Sequence, residues 1–203
     1  MCPRPRTVDD AEILAATGRV IGSVGPAKLT LARVAEEVGL AAATLVQRFG
    51  SKRNLLIAFA ESGRDDPGRY LAQLRDQHDS PLAMLREFLF CFAQMASTPQ
   101  EMANHLAAFQ MDLTDPDLRL LALDVHDWNE TTVADLLSEA LAAGEVEGCD
   151  PREFAPILIT VAQGSLLSWA IYRKGSARDW IARHVDITLR PYATKSSQSN
   201  MRA

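Results

Sequence analysis

The chain has 203 residues, of which 47% are apolar and 23% are charged, and its net charge is −5. This length supplies a substantial core without metals or disulfides, and the composition excludes an intrinsically disordered protein. The three cysteines, Cys2, Cys91 and Cys149, form no CxxC pair and no even-numbered framework. We therefore predict a reducing, cytoplasmic location.

No membrane partner is predicted. The N-terminus lacks the apolar stretch of a signal peptide, and we expect no later segment of about 18 uncharged apolar residues. The charge is unevenly distributed, because residues 1–53 hold eight Arg and Lys against five Asp and Glu, whereas the remainder holds 13 against 21. A basic segment on an acidic body is consistent with a phosphate-facing module, although an imbalance this small also arises by chance.

The chain is predicted to be all-α, because no stretch alternates apolar and polar residues long enough to indicate a strand. Apolar residues at helical spacing predict a first helix over 8–23. Thr30 is the expected N-cap of a second helix that Gly39 ends, and a third short helix covers roughly 41–48. Ser51 is expected to cap the next helix, which Gly63 and Pro67 should break or kink.

The helices beyond residue 80 are predicted to be longer. Four of them begin with a capping residue followed by proline, a typical helix start, and these helices cover 80–97, 98–113, 115–146 and 150–175. Glu101 would complete a capping box with Thr98. A last helix covers 176–192, and the polar tail 193–203 is predicted to be disordered.

The segment from Thr30 to Leu56 predicts a helix-turn-helix, since two short helices flank a tight break at Gly39 and a preceding helix can pack across them. Such a motif places its second helix in the major groove of DNA. On that helix Gln47 can read adenine, and Arg48 can read guanine or hold a phosphate. Lys52 adds a positive charge at the start of the following helix, where backbone N–H groups already favour an anion.

The spacing of this segment resembles the TetR family of transcriptional regulators. The family pattern T-x3-V/I-A-x3-G-L/V-x3-TL-x3-F-x-SK-x2-LL is met by Thr30, Val34, Ala35, Gly39, Leu40, Thr44, Leu45, Phe49, Ser51, Lys52, Leu55 and Leu56. The resemblance implies an N-terminal three-helix DNA-binding domain over 1–56. A larger helical domain over 57–192 would bind a ligand and dimerise.

The resemblance also implies which residues contact DNA. They lie at the starts of the two motif helices, on the outer face of the second and at the start of the helix that follows. These residues are Thr30, Arg33, Ala42, Thr44, Val46, Gln47, Arg48 and Lys52. Three positions depart from the family, because Ala41, Ala43 and Val46 stand where Ser, Gly and Tyr are usual. Val46 loses a phosphate contact of the Tyr but could contact a thymine methyl group.

In the family the central helices enclose a cavity for a small effector, and this chain has a dense set of aromatic and Met residues there. Such a set is more often plain core than a ligand site. With the resemblance, we expect an apolar effector site with a few polar groups, formed by Phe88, Phe92, Met95, Met102, His105, Phe109, His126 and Gln163.

The last two long helices of the family pair with a second copy. The corresponding stripe here mixes small and large residues, although a monomer could also bury it internally. The predicted dimer interface comprises Leu158, Val161, Ser165, Leu166, Trp169, Trp180, His184 and Ile187. A two-fold dimer suits a palindromic operator on double-stranded DNA.

The sequence therefore predicts a ligand-responsive homodimeric repressor without a cofactor. An enzyme is disfavoured, because the four His are scattered and no HExxH, GxSxG or GxGxxG motif occurs. No catalytic residue and no metal ligand is predicted. A dimeric helical ligand sensor that does not bind DNA stays as the alternative, supported by the departures at Ala41, Ala43 and Val46.

Overall fold

The computed structural model describes residues 8–62 and 67–200, and these residues form an all-α fold. The helices are α1 Asp10–Val24, α2 Leu31–Glu37, α3 Ala42–Phe49, α4 Lys52–Ser62, α5 Pro67–Gln77, α6 Pro81–Phe90, α7 Pro99–Thr114, α8 Pro116–Ala142, α9 Pro151–Tyr172, α10 Ala177–Leu189 and α11 Lys195–Asn200. A 3-10 turn, Cys91–Met95, follows α6. The one β pairing within the described ranges is a bridge between Val146 and Ala193.

The helix starts lie at the predicted capping residues. The Thr30 hydroxyl accepts from the N–H of Arg33 at 3.2 Å, and the Asp150 carboxylate accepts from Arg152 and Glu153 at 2.8 and 3.3 Å. Ser51, Ser80, Thr98, Asp115 and Ser176 accept in the same way from N–H groups two or three residues further on. These caps satisfy N–H groups that a helix leaves without a partner.

Four predicted helices end earlier than expected: α6 ends at Phe90 rather than 97 and α10 ends at Leu189 rather than 192, and α8 and α9 also end early, each for a local reason. Helix α8 ends at Ala142 rather than 146, because Gly144 has φ 67° and the N–H groups of Gly144 and Glu145 bond back to Leu141 and Ala140. Such a Schellman motif ends a helix. Helix α9 ends at Tyr172 rather than 175, since Arg173 takes a left-handed conformation with φ 56°.

The chain divides into two compact units. The first comprises Met1–Asp65 and Ala103–Ala122, and the second comprises Asp66–Met102 and Leu123–Ala203. The segment 103–122, which the predicted domains assign to the C-terminal part, belongs to the first unit. Ala108 and Met111 explain this, because both pack on the first unit's core. That core is formed by Val8, Ile13, Ala16, Val20, Ile21, Leu29, Val34, Ala35, Leu45, Leu55 and Leu56.

The second unit has its own core, built on α6, α8, α9 and α10. Its largest fully buried side chains are Phe88, Leu85, Leu89, Leu136, Leu137, Leu158, Leu166 and Ile181. The guanidinium of Arg86 pairs with Asp186 through two hydrogen bonds of 2.7 and 2.9 Å. This ion pair ties α6 to α10, two helices that both contribute to the core.

The expectation that no uncharged apolar segment of membrane-spanning length exists was wrong. Residues 154–172 carry no charge, and Pro151–Tyr172 is the one described helix long and apolar enough to cross a membrane by length and composition. The helix nevertheless contributes to a protein core, because Phe154, Leu158, Leu166 and Trp169 are buried within the second unit.

The tail was predicted to be disordered from residue 193, and the structure differs over 193–200. Ala193 is buried, and its N–H bonds to the carbonyl of Leu189. The Gln198 amide donates to the carbonyls of Arg190 and Ala193 at 3.2 and 2.9 Å. These bonds explain why a polar segment forms a terminal helix, whereas 201–203 lie outside the described residues.

Candidate nucleic-acid interface

The turn between α2 and α3 is a Schellman motif. The N–H of Gly39 bonds to the carbonyl of Glu36 at 3.1 Å, and that of Leu40 bonds to Ala35 at 2.8 Å. Gly39 has φ 72°, and a Cβ added there would meet no atom within 4 Å. Glycine is therefore required by the backbone conformation and not by space. This motif gives the tight break that the sequence predicts between the two helices.

Helix α3 has one face in the core and one face in solvent. Leu45 is fully buried and Phe49, four residues later, packs partly buried on the same core. On the other side Val46 is 51% exposed, and Gln47 is exposed. The Gln47 side chain makes no hydrogen bond with any described residue. Its amide can therefore offer both a donor and an acceptor to a ligand outside the chain.

Arg48 differs from its neighbour Gln47, although both were predicted to contact DNA. Its Nη1 donates to the carbonyl of Val8 at 2.8 Å and to the Asp10 carboxylate at 3.1 Å. These contacts bind the end of α3 to the start of α1, forty residues earlier in the chain. The structure thus gives Arg48 the task of orienting α3, a role that spacing along one helix could not reveal.

The other predicted DNA contacts lie around α2, α3 and the start of α4. Thr30 and Arg33 are exposed on the first turn of α2, and Ala42 is exposed on the first turn of α3. Thr44 is half-buried beside them. The Lys52 ammonium donates to the carbonyl of Pro26, which fixes its position and leaves two of its three N–H groups for an anion.

The N-terminus of α3 lacks a side-chain cap. Its N-cap position is Ala41, which has extended φ and ψ of −72° and 141° and no side-chain oxygen to accept from the first turn. Free N–H groups at a helix start favour a negatively charged partner such as a phosphate. The departure from the usual Ser therefore leaves an anion-accepting end on the helix that carries Gln47.

We expect Ala41→Ser to raise the free energy of unfolding by about 1 kcal/mol, because a serine hydroxyl can cap α3. Urea unfolding followed by circular dichroism measures the change. Ala43→Ser is the matched control, since it adds the same hydroxyl at an exposed position inside α3 and should stabilise nothing. An unfolding midpoint that is equal in both variants would contradict the capping account.

Arg53 binds α4 to the junction of α7 and α8 within the first unit. Its guanidinium donates to Asp115 at 2.8 and 3.0 Å and to Asp117 at 2.6 Å. The hydrogen bonds from Arg53 are the main cause that lowers the pKa of Asp115 below its usual value, and backbone N–H groups of Leu118 and Asp117 add to this. The ionised form of Asp115 is thus favoured in the folded state.

This lowered pKa predicts a pH dependence of stability. A carboxyl group with a lowered pKa stabilises the fold above its unfolded pKa of about 3.9, and this contribution disappears as the pH falls through the folded pKa. We expect Asp115→Asn to be less stable than wild type at pH 7 and to differ less as the pH falls below about 4. Urea unfolding at several pH values measures this. Asp127→Asn, an exposed change on α8, should show no such convergence.

The predicted effector residues are divided between the two units and differ in exposure. His105 and Phe109 belong to the first unit, and the others belong to the second. Phe88 and Met102 are core residues, whereas Met95 and Phe109 are each 43% exposed. Phe92, His126 and Gln163 are half-buried on three different elements.

A cavity that sequence reasoning missed lies between α5 and α8 of the second unit. Its volume is about 430 Å³, and it is lined by Leu71, Arg75, Trp128, Thr131, Thr132, Asp135, Leu136, Ser138 and Glu139. None of these residues was predicted to bind a ligand. The sequence offers little indication of this cavity, because its α5 residues and its α8 residues are more than fifty positions apart.

The residues of the predicted dimer interface differ in exposure. Leu158, Ser165, Leu166 and Trp169 are buried within the second unit. Val161, Trp180 and His184 are half-buried, and Ile187 is 49% exposed. The solvent face of α9 lies on the opposite side of that helix and carries Ile157, Thr160, Gly164, Leu167 and Ile171.

The described residues offer no cluster of metal-ligating side chains, and the two described cysteines have raised thiol pKa values. No three His, Cys, Asp or Glu residues there lie close enough together to hold a metal ion. Burial raises the pKa of the Cys91 thiol to about 11, so this group is protonated at neutral pH. Cys149 also has a raised pKa because of burial.

Comparison with known proteins agrees with the geometry of α1 to α4. The model of the family described as bacterial regulatory proteins, tetR family, matches residues 13–59. That range begins in α1, includes the whole of α2, the turn and α3, and ends in α4. No curated protein matches the chain.

Solved structures match nearly the whole fold. A transcriptional regulator from Saccharomonospora viridis in complex with choline is 20% identical with a TM-score of 0.71, over 92% of this chain and 98% of that chain. A TetR-family transcriptional regulator from Rhodococcus sp. is 22% identical, with a TM-score of 0.66 over 89% and 98%. FadR from Bacillus subtilis in complex with stearoyl-CoA is 16% identical, with a TM-score of 0.65 over 89% and 98%.

At these identities the solved structures support the fold, and the family model supports the DNA-binding segment. The matched segment contains the Schellman turn, the buried Leu45 and the exposed outer face of α3. Residues 13–59 are therefore a DNA-binding segment of the tetR family of bacterial regulatory proteins, and the chain as a whole has the fold of TetR-family transcriptional regulators.

Proposed function

We propose that this regulator is a homodimeric repressor that leaves a palindromic operator when a small effector binds. The observation that carries the proposal is that α3 buries Leu45 on one side and exposes Val46 and Gln47 on the other, while Arg48 links the helix end to Val8 and Asp10. A helix held in this way can enter the major groove with its outer side chains against the base edges.

On this proposal Gln47 reads an adenine through its amide, and Val46 lies against a thymine methyl group. Contacts to the phosphates surround these two residues. Thr30, Arg33 and Thr44 lie beside them, Lys52 keeps two N–H groups available, and the uncapped start of α3 offers backbone N–H groups. The phosphate contacts position the helix, whereas Gln47 and Val46 supply the specificity.

The proposed dimer uses the solvent face of α9 together with α10. Ile157, Leu167 and Ile171 are 50%, 39% and 71% exposed on one stripe of α9. A Cβ added at Gly164, in the middle of the stripe, would meet no atom within 4 Å. Nothing in the protomer's own packing requires this glycine, which leaves room for a second backbone to approach closely.

Helix α10 continues this apolar surface. The Trp180 ring stacks on Tyr172 with 5.1 Å between centroids, and His184 lies at 5.6 Å from Trp180. Ile187 follows on the next turn. Two copies related by a two-fold axis would bury the same surface twice, and their α3 helices would meet half-sites about 34–36 Å apart.

The effector is proposed to act from the second unit. Two of the similar proteins hold a small molecule, choline in one and stearoyl-CoA in the other, and the cavity of the second unit has the size of a small-molecule site. An effector that prefers the dimer form with poorly spaced α3 helices weakens DNA binding by its differential affinity, typically about 1–3 kcal/mol.

Selection from random duplex DNA tests the proposal without knowledge of the operator. We expect the purified protein to enrich a sequence with two-fold symmetry and half-sites one helical turn apart. Fluorescence anisotropy at two salt concentrations, with excess unrelated DNA as competitor, then measures specificity. Enrichment of an asymmetric single site would argue against the dimeric mode, and the absence of any enrichment would leave a dimeric ligand sensor.

A further inference from the structure

The cleft between α5 and α8 has an apolar floor and an acidic rim. The ring of Trp128 lines it and packs at 5.6 Å from the buried Phe88 ring, which holds the indole in place. Leu71 and Leu136 add aliphatic surface. A fixed indole face with aliphatic neighbours suits the apolar part of a small ligand, and such a face also attracts a cation.

The charges on the rim do not balance. Arg75, Asp135 and Glu139 are the charged residues that line the cleft, and their formal charges sum to −1. Arg75 donates to both oxygens of Glu139 at 2.9 and 2.7 Å, so these two residues satisfy each other. Asp135 makes no such hydrogen-bonded pair with a described residue; it interacts with Arg75 only through their Coulombic attraction and lies exposed one helical turn before Glu139.

The hydroxyl groups on the rim act as acceptors. Thr131 Oγ1 donates its proton to the carbonyl of Asp127 at 2.8 Å, and Ser138 Oγ donates to Ala134 at 2.8 Å. Each hydroxyl has one proton and two lone pairs, so these two oxygens can only accept from a ligand. Together with Asp135 they make the rim rich in acceptors, and a ligand with N–H donors would be the complement.

We propose that this cleft binds a small organic ammonium ion, with its charged nitrogen at Asp135 and its apolar part against Trp128. The cleft volume of about 430 Å³ admits a ligand of this size. The proposal replaces the apolar effector that the sequence predicts with an amphipathic cation. It rests on the proposed ligand-responsive function only for its regulatory consequence, because binding itself can be measured without DNA.

Three probes of one size and different charge test the site: benzylamine, which is an ammonium ion at pH 7, benzyl alcohol and benzoate. Isothermal titration calorimetry on the full chain measures their affinities. We expect benzylamine to bind at least tenfold more tightly than benzyl alcohol, and benzoate to bind most weakly. Equal affinities for the three probes, or a preference for benzoate, would overturn the proposal.

Two substitutions, Asp135→Asn and Trp128→Phe, test where the probes bind, and Asp127→Asn is the control. Asp135→Asn should remove the preference for the cation, whereas Asp127→Asn should leave it, since Asp127 lies outside the cleft, eight residues or about 12 Å along α8. Trp128→Phe keeps a ring against Phe88 and should weaken all three probes without unfolding the protein. A preference for benzylamine that survives Asp135→Asn would also overturn the proposal.

The regulatory consequence is measured separately with the selected operator. Release of DNA by benzylamine in wild type, lost in Asp135→Asn, would support both the site and the proposed repressor mechanism. Binding without any release would keep the cleft as a cation site and contradict its role as effector site. The absence of binding, with specific DNA recognition intact, would refute the site and leave the repressor standing.

Discussion

Gln47→Ala is expected to weaken operator binding by about 1–3 kcal/mol for each half-site, because it removes a proposed bidentate contact to adenine. The free energy of unfolding should stay within about 0.5 kcal/mol of wild type, since the side chain is exposed and makes no hydrogen bond with a described residue. Anisotropy with the selected operator and urea unfolding measure the two quantities. Gln73→Ala, which removes the same side chain from an exposed position on α5, is the control for both.

Arg48→Ala, unlike Gln47→Ala, should lower the stability of the fold as well as DNA binding. Loss of its bonds to Val8 and Asp10 is expected to lower the unfolding free energy by about 1 kcal/mol. DNA binding should weaken because α3 is no longer held in position, but the salt dependence should not change. If Arg48 instead holds a phosphate, the slope of log K against log salt would fall by about 0.9 for each copy. That result would restore the role that the sequence predicts.

Leu167→Glu is expected to convert the dimer into monomers. In the proposed interface this change places an unpaired carboxylate on each side of the two-fold axis, and a buried unpaired charge costs about 3–5 kcal/mol. The dissociation constant of the dimer should therefore rise at least about a hundredfold. Sedimentation velocity over a range of concentrations measures it. Leu120→Glu, at a 54% exposed position of α8, is the matched control and should remain dimeric.

A second variant separates loss of the dimer from loss of the fold. Gly164→Leu adds a side chain where the protomer offers open space, so the folded protomer should tolerate it while a close partner helix should not. Both variants should lose high-affinity operator binding and keep wild-type circular dichroism. A dimer that persists in both variants would place the interface elsewhere on the chain.

The helix starts and the DNA-binding motif could be predicted from the sequence because they depend on local contacts. Thr30, Ser80 and Asp150 cap helices through N–H groups two or three residues away, and a glycine with positive φ ends α2. Such features are encoded within one turn of chain. The position of Leu45 on the buried face of α3 follows from the same short range.

The solvent face of α9, where we propose the dimer interface, could not be predicted in the same way, because α9 is apolar on nearly all sides. Leu158 and Leu166 face the core while Ile157 and Leu167, their immediate neighbours, face solvent. No charge over 154–172 distinguishes the two sides. Hydrophobic periodicity identifies a buried face only where a polar face contrasts with it.

Contacts between residues far apart in the chain account for the remaining differences between the predictions and the structure. Arg48 reaches residues forty positions away, and the ion pair at the cleft joins Arg75 to Glu139. The sequence around Arg48 or Arg75 does not indicate which distant residue each of them contacts. The tail was predicted to be disordered for the same reason, since its polar residues gave no sign of the carbonyl groups that Gln198 meets.

The proposed division of α3 into residues that hold the helix and residues that contact bases bears on how this protein could acquire a new target sequence. Val46 and Gln47 contribute little to the fold, so changes there should alter the preferred bases at almost no loss of stability. Leu45 and Arg48 meanwhile keep the helix in place. Substitutions at only two positions could therefore retune the operator, in evolution or in the laboratory, without compensating changes elsewhere in the chain.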